Sequence, residues 1–452
     1  MNMKPLYVVA SVFLLSIITG CDSFLDEKPD QKLSIPTTIE DLNAILSGTG
    51  TLKGVQESEV MTDDYYLLDA DYDALFCMTD IELYSWKDPN FIQTCDGDSG
   101  WGYGYSTIYR ANVVLEALEK YQAQYGVSQK SEEVKGRAYF LRAINHLEIA
   151  QAWGEVYVAE DADKKQGIPL KLNADFNEKT TRATLAETFG QIEDDFLKAS
   201  QLLPVRAEKI HLPSRAAALS YMARMYLYMN DFPKAAEYAD LTLKEGGSLL
   251  DYNEFTFSGR YPFTVDEHKE VLYGRALSGA HYSMNVGIRK VKQDLYDSYP
   301  INDLRKKIFF SENVDGTIRF IGSYSGASLF SGTTAAEMYL ILAETHAREQ
   351  NYDLSRSLLL SFLQHRLLKN TAIPNILDDN LLDEVIEQRR KELLFRGVRF
   401  TDVKRLNSLG AGIKMKRIIK GKEEILPSND PRFNLLIPEQ VVRMSGVKQN
   451  RR

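Results

Sequence analysis

Residues 221–243, YMARMYLYMNDFPKAAEYADLTL, contain two helix-like stretches separated by a short polar turn. Residues 341–363, ILAETHAREQNYDLSRSLLLSFL, repeat this arrangement. A small residue, Ala223 or Ala343, lies in the first stretch of each segment, and an aromatic residue ends each turn. Small residues let neighbouring helices approach closely, and the aromatic side chain fills the turn. The two segments predict one type of helix pair used twice, with two unrelated hairpins as the alternative because their identity is low.

Residues 184–204, TLAETFGQIEDDFLKASQLLP, carry the clearest signals of a single helix. Thr184 and Glu187 have the spacing of a capping box, and Pro204 ends the helix. Apolar residues recur every three or four positions and form one face: Leu185, Phe189, Ile192, Phe196, Ala199 and Leu203. This helix is expected to pack along its whole length.

Weaker patterns predict further helices near the start and the middle of the chain. Thr38 and Asp41 are spaced as a cap, and a longer helix is expected to begin after Ser131 and to end near Gly154. The sequence therefore predicts a mainly α fold, with a tetratricopeptide-like helical-repeat scaffold and little β structure.

Two regions lack long helical periodicity and are rich in aromatic residues, namely residues 65–105 and 252–330. Long irregular segments inside a compact chain usually carry function. We expect a loop-rich ligand lobe formed mainly by residues 50–104 and 252–332. The sequence GWGYG, residues 100–104, is expected to be a flexible lead-in to a helix that begins at Tyr105.

The N-terminal residues have the pattern of a lipoprotein signal peptide. An apolar run ends in Ile18, Gly20 and Cys21 and is followed by the acidic stretch DSFLDEKPD. The run is too short for a stable transmembrane helix, which needs about 20 apolar residues. We expect residues 1–20 to be removed and Cys21 to be lipidated, leaving residues 21–452 as one domain. A soluble-secretion signal with a chance cysteine is the alternative.

The charged and cysteine residues indicate which partners, metal sites and cross-links are compatible with the sequence. The formal net charge of -9 argues against nucleic acid as a partner. Cys77 and Cys95 are compatible with either a disulfide or two free thiols. Aspartates at 69, 71, 73 and 80 have calcium-loop spacing, but Ala74 stands where that loop needs glycine. The run 387–405, EQRRKELLFRGVRFTDVKR, predicts buried ion pairs that join helices rather than a ligand site.

Several stretches in a fixed order resemble the SusD/RagB family of nutrient-binding outer-membrane lipoproteins. They are YSTIYRANVVLEALE (105–119), KGRAYFLRAINHLEIAQAWGEV (135–156), GIPL (167–170), TRATLAETFGQIEDDFLKASQLLP (181–204), SRAAALSYMARMYLYMNDFPKAAEYA (214–239), AAEMYLILAETHA (335–347), EQRRKELLFRGVRFTDVKR (387–405) and LIPEQ (436–440). The resemblance implies four tetratricopeptide-like helix pairs below a loop-rich lobe. It also implies a lipid-anchored outer-membrane protein, facing the cell exterior, that caps a TonB-dependent transporter.

The expected activity is capture of an oligomeric nutrient, a glycan in the first place, for delivery to that transporter. A peptide ligand is the alternative, followed by a secreted glycoside hydrolase. No HExxH, GxSxG or phosphate-loop motif occurs, so catalysis, a metal or a cofactor is not expected. Aromatic faces stack on sugars and polar groups orient them. The candidate ligand residues are Asp64, Tyr84, Trp86, Tyr282, Asn285 and Tyr324.

Overall fold

The structure is a computed structural model. It describes residues 38–452 apart from residues 49, 88–98, 257–258, 264–268, 278–280 and 374. The helices, in chain order, are α1 (Ile39–Ile45), α2 (Glu57–Val60), α3 (Asp69–Asp73), α4 (Met78–Tyr84), α5 (Gly100–Tyr125), α6 (Gln129–Trp153), α7 (Leu185–Leu202), α8 (Arg215–Tyr228), α9 (Phe232–Glu245), α10 (Gln293–Asp297), α11 (Leu304–Phe309), α12 (Ala335–Arg348), α13 (Tyr352–Gln364), α14 (Asp378–Glu392), α15 (Arg399–Ser408) and α16 (Glu439–Ser445).

The strands are short and pair only in twos within the described residues. In chain order they are β1 (Lys53–Gly54), β2 (Tyr65–Tyr66), β3 (Gln166–Pro169), β4 (Arg182–Thr184), β5 (Val271–Tyr273), β6 (Ala276–Leu277), β7 (Lys290–Val291), β8 (Phe310–Glu312), β9 (Ile318–Phe320), β10 (Thr333–Thr334), β11 (Met415–Ile419) and β12 (Lys422–Leu426). The prediction of a mainly α fold with little β structure is confirmed.

The long helices form the predicted scaffold, because each packs against the next one along the chain. Helix α5 contacts α6, α6 contacts α7, and the series continues through α8, α9 and α12 to α13 and α14. The two segments predicted as helix pairs are α8 with α9 and α12 with α13. Ala223 and Ala343 are fully buried where these helices meet, as their small size predicted.

Helix ends were predicted with mixed accuracy. The Thr184 and Glu187 capping box is present, and α7 buries the predicted apolar face. Helix α6 begins earlier than expected, because Ser128 is its N-cap and Ser131 is the N3 partner in the capping box. The flexible lead-in predicted for residues 100–104 is wrong: Ser99 caps α5, which is helical from Gly100 onward.

The predicted ion pairs of the run 387–405 are confirmed. Arg389 lies 2.8 Å from Asp402, and Arg405 lies 2.7 Å from Glu344. Because Glu344 belongs to α12, these buried contacts connect α12 to α14 and α15. Such pairs position helices rather than add much net stability, since desolvation offsets most of the attraction.

Two smaller expectations concern the region around α3 and α4. Asp69, Asp71 and Asp73 lie in helix α3 rather than in a calcium loop, and the described residues contain no cluster of three or more side chains that could hold a metal ion. Cys77 is disulfide-bonded. The two other cysteines of the sequence, Cys21 and Cys95, lie outside the described residues.

Candidate ligand-binding surface

The two aromatic-rich regions predicted from the sequence lie against each other. Strand β2 of the first region pairs antiparallel with β7 of the second, with Tyr65 opposite Val291. Beside this contact the rings of Phe76 and Tyr282 lie 5.9 Å apart between centroids. Phe76 is 72% exposed and Tyr282 is 39% exposed. With the exposed Asn285, these residues form a solvent-facing patch that we call the lobe surface.

Asp80 fixes the turn that presents Tyr282. This fully buried carboxylate of α4 accepts the Ser283 backbone amide at 2.8 Å and the Ser283 hydroxyl. On the other side of Tyr282, the Nδ1 atom of His281 lies 3.6 Å from the same carboxylate. Because both neighbours of Tyr282 contact Asp80, the exposed ring stands on a turn that is anchored from inside the protein.

Asn285 has a local structural role in addition to its exposure. Its Oδ1 atom accepts the Gly287 amide at 2.8 Å, and its carbonyl oxygen accepts the amides of Ile288 and Arg289. These bonds use the oxygen atoms of this exposed residue, so its Nδ2 group remains as a donor. The lobe surface therefore combines two exposed rings with one amide donor.

Tyr84 and Trp86 are buried and pack around Arg417 of β11. The Arg417 guanidinium is 3.8 Å from the Tyr84 ring centroid and 4.8 Å from that of Trp86. The Tyr84 hydroxyl accepts the Leu67 amide, and the Trp86 indole donates to the Met61 carbonyl at 2.8 Å. Burial raises the pKa of Tyr84. Both rings therefore make their contacts with other residues inside the protein.

Asp64 and Tyr324 are also buried. Asp64 lies 2.7 Å from Arg390 of α14. The neighbouring Asp63 contacts Arg399, and although burial alone would raise the pKa of Asp63, Arg399 and Arg390 lower it to about 2. The Arg396 guanidinium lies 4.0 Å from the centroid of the Tyr324 ring, in a cation–π contact. These charged contacts connect the lobe to the scaffold helices.

The six candidate residues thus divide by exposure. Tyr282 and Asn285 are exposed, whereas Asp64, Tyr84, Trp86 and Tyr324 are buried. Trp86 is only 1% exposed, so its ring is not a solvent-facing platform on which a sugar could stack. Contact of each of the six residues with ligand stays a prediction.

Known proteins are similar to this chain in sequence. Residues 23–227 match the SusD-like_3 family model, described as starch-binding and associating with the outer membrane. The SusD-like protein P2 of Formosa agariphila is 22% identical over 424 residues, which cover 77% of this chain and 79% of that protein. The chain is similar to SusD-like proteins over these residues.

Solved structures share the fold of this SusD-like chain over nearly its whole length. A SusD superfamily protein from Bacteroides thetaiotaomicron superposes with a TM-score of 0.75 at 19% identity, covering 92% of this chain and 100% of that one. A protein from Bacteroides vulgatus described as sugar-binding gives a TM-score of 0.72 at 21% identity, covering 92% and 98%. At these identities the likeness establishes the fold.

Phe76 is the residue of the SusD-like lobe surface that the sequence analysis did not select. It belongs to the aromatic-rich stretch, but nothing local distinguishes its exposed ring from the buried ring of Tyr84. Its pairing with Tyr282 could be found only once the two regions were placed together. Within the described part of the SusD-like chain, no helix is both long and apolar enough to span a bilayer.

Proposed function

We propose that this SusD-like chain is a cell-surface lipoprotein that binds a glycan and delivers it to a TonB-dependent outer-membrane transporter, acting as its lid. The lipid anchor is carried by Cys21, which lies outside the described residues. In support, the matching family model is described as starch-binding and associating with the outer membrane, and one structural relative is described as sugar-binding.

The exposed pair formed by Phe76 and Tyr282 is the observation on which the binding proposal rests. Large exposed aromatic rings leave apolar area in water, and a bound ligand recovers that free energy. The rings are tilted by 48°, so they form a bent platform rather than a flat one. A sugar chain suits such a platform, because CH-rich ring faces can stack while its hydroxyl groups reach a donor such as Asn285.

The four buried candidates take a supporting part in this proposal. Trp86 and Tyr84 hold the segment that carries Phe76 against Arg417, and Asp64 ties β2 to α14 through Arg390. Tyr324 supports the second region through its contact with Arg396. Their substitution is expected to affect ligand binding through the position of the exposed rings.

Peptide binding on the same surface is the second candidate. Aromatic platforms accept apolar peptide side chains as well as sugars, so the chemistry of Phe76 and Tyr282 alone does not separate the two. A glycan is preferred for two reasons. The matching family model is described as starch-binding and one structural relative as sugar-binding. In addition, a neutral donor such as Asn285 can form hydrogen bonds with sugar hydroxyl groups. Hydrolase activity is the third candidate. A hydrolase would release shortened products from the oligosaccharide during a binding assay, whereas a binding protein would not.

An array that carries oligosaccharides and oligopeptides tests the proposal directly. We expect the purified chain to retain one class of oligosaccharide and to release no products from it. Tyr282→Ala should weaken that binding about tenfold, the loss typical of a central aromatic contact. Tyr125→Ala is the matched control, because Tyr125 is an exposed aromatic at the far end of α5.

Three results would contradict the proposal. Retention of peptides alone would replace glycan by peptide, and release of shortened products would favour a hydrolase. Oligosaccharide binding that Tyr282→Ala and Phe76→Ala both leave unchanged would remove the lobe surface from the ligand site.

A further inference from the structure

A cleft of about 280 Å³ opens between α5 and the segment that follows β3, and none of the lobe surface residues lines it. Its walls are aromatic and consist of Trp101, Tyr105 and Tyr109 from α5 and Phe176 from the following segment. Lys171, Asn173, Asp175 and Thr180 contribute polar groups to its lining. The sequence analysis selected none of these four aromatic residues as a ligand residue.

The segment that carries Phe176 is held in place from inside the protein. The buried Asn112 donates from Nδ2 to the carbonyl oxygens of Lys171 at 3.0 Å and of Asn173 at 2.9 Å. Its Oδ1 atom accepts from Arg142 at 2.9 Å, and Arg142 pairs with the buried Asp195 at 2.7 Å. These buried polar groups form a hydrogen-bonded series from α7 through α6 and α5 to the cleft. The series holds the rim of the cleft in position.

Phe176 is 80% exposed despite this support. Its ring lies 4.5 Å from that of Tyr109 between centroids, so it is directed against the cleft wall. A large apolar side chain held in water on a fixed backbone costs hydrophobic free energy that a bound apolar face would recover. The exposure of Phe176 therefore indicates a ligand rather than a loose surface loop.

The arrangement of the rings indicates the shape of that ligand. Trp101 and Tyr105 are 4.9 Å apart, and Tyr109 and Phe176 are 4.5 Å apart, so the rings within each pair touch and leave no slot for a flat ring between them. They form a one-sided wall. A pyranose ring matches such a wall, because one CH-rich face can stack while its hydroxyl groups point to the polar lining.

Charge and size restrict the ligand further. The Lys171 ammonium lies 3.5 Å from the Glu178 carboxylate, so its charge is compensated within the segment. Because the Asp175 carboxylate also lines the cleft, a neutral ligand suits this lining better than an anion. The cleft volume is at the lower end of small-molecule pockets, which span about 300–1,000 Å³. One sugar unit therefore fits better than a long oligomer.

We propose that this cleft is a second ligand site, which takes one neutral pyranose unit of a glycan. The choice of glycan rests on the proposed function, but the site itself rests on residues that do not belong to the lobe surface. Two separate sites on one chain would raise the avidity for a long glycan, because binding at one site increases the effective concentration at the other.

Fluorotryptophan labelling gives a readout specific to the cleft. The chain contains three tryptophans, Trp86, Trp101 and Trp153, of which Trp101 lines the cleft. A Trp101→Phe variant assigns its fluorine resonance. The labelled protein is titrated with methyl glycosides of glucose, galactose, mannose and xylose, and separately with N-acetylphenylalaninamide.

We expect at least one glycoside to shift the Trp101 resonance in a saturable manner. Phe176→Ala should raise the dissociation constant about tenfold, because it removes half of the outer ring pair. Tyr125→Ala should leave the titration unchanged, since Tyr125 lies on α5 outside the cleft.

The outcomes separate the second site from the proposed function. If no glycoside shifts Trp101, if Phe176→Ala has no effect, or if only N-acetylphenylalaninamide binds, the second site is overturned. Capture of oligosaccharides that depends on Tyr282 would then still support the lobe surface. The converse result is that a glycoside shifts the Trp101 resonance while Tyr282→Ala has no effect on oligosaccharide capture. That pair of results would support the cleft as a ligand site and exclude the lobe surface.

Discussion

The guanidinium of Arg417 lies 3.8 Å from the ring centroid of Tyr84, although the two residues are 333 positions apart in the sequence. Arg417 also donates to the backbone carbonyls of Tyr84 and Thr62, and Trp86 covers it from another side. A buried guanidinium is stable only if its donors are satisfied and its charge is compensated. The backbone carbonyls accept from its Nη atoms and the aromatic rings offset its charge, whereas its Nε atom has no hydrogen-bond partner.

Trp86→Ala is therefore expected to act on stability. Trp86 adopts a positive φ of 53°, a strained conformation for a non-glycine residue, and its indole bond to Met61 helps to hold it there. Removal of the ring should lower the free energy of unfolding by about 3–5 kcal/mol, as for other buried tryptophans. Denaturant titration followed by circular dichroism measures the loss.

Tyr125→Ala provides the matched control for this measurement, because it removes an exposed aromatic ring and should change the unfolding free energy by less than about 0.5 kcal/mol. An unchanged stability in Trp86→Ala together with lost ligand binding would restore Trp86 to the ligand site.

The scaffold could be predicted from sequence because its signals are local. The capping box at Thr184 and Glu187 and the small residues Ala223 and Ala343 act over a few positions, and the structure confirms each. The start of α6 was placed late because Ser128 and Ser131 are both good cap residues, and only the backbone bonds distinguish them.

The packing of the aromatic-rich regions was less predictable because it depends on residues that are distant in the sequence. Nothing near Tyr84 or Trp86 in the sequence indicates that Arg417 occupies the space between their rings. Likewise, the ring of Phe76 packs against that of Tyr282, which lies in the other aromatic-rich region. Composition identifies two aromatic-rich regions, but it cannot separate rings that face solvent from rings that face a buried cation.

Peptide mapping is expected to find Cys77 joined to Cys95. Cys77 is disulfide-bonded, and lipidation of Cys21 would leave Cys95 as the remaining cysteine. A non-reduced digest analysed by mass spectrometry should contain a peptide pair that disappears on reduction. Detection of Cys77 linked to Cys21 instead would contradict both this pairing and lipidation of Cys21.

Cys21→Ala is expected to release the protein from the membrane. Acyl chains on Cys21 would supply the membrane affinity, and alanine cannot form the thioether that attaches them. Membrane fractionation should find the variant in the soluble fraction, whereas Ser23→Ala, a neighbouring substitution that keeps the cysteine, should remain membrane-bound. Equal membrane association of the two variants would argue against the anchor.

A TonB-dependent transporter is expected to copurify with the tagged protein. The series of packed helices from α5 to α14 offers a long surface for a large partner. Membranes solubilised in a mild detergent should yield the transporter with the wild-type chain, and an unrelated tagged lipoprotein from the same membranes is the control. Recovery of the chain alone in several detergents, with oligosaccharide present, would count against the role as a lid.

His146 is expected to make the protein less stable in acid. It is fully buried in α6, neither ring nitrogen has a hydrogen-bond partner, and burial followed by the nearby Arg142 lowers its pKa to about 3. Between pH 6.5 and pH 3 the unfolded chain therefore binds a proton at this residue that the folded chain does not. The free energy of unfolding falls as the pH falls through this range, by about 2 kcal/mol at pH 5 from His146 alone.

His146→Leu isolates this contribution, because leucine has a similar volume, does not titrate and leaves no buried polar atom without a partner. We expect the variant and the wild type to differ little at pH 8, where His146 is neutral in both states. At pH 5 the variant should retain about 2 kcal/mol more of its pH 8 stability than the wild type does. Parallel pH profiles for the two proteins, measured by denaturant titration, would mean that the pKa of His146 is the same in the folded and the unfolded chain, which would contradict this prediction.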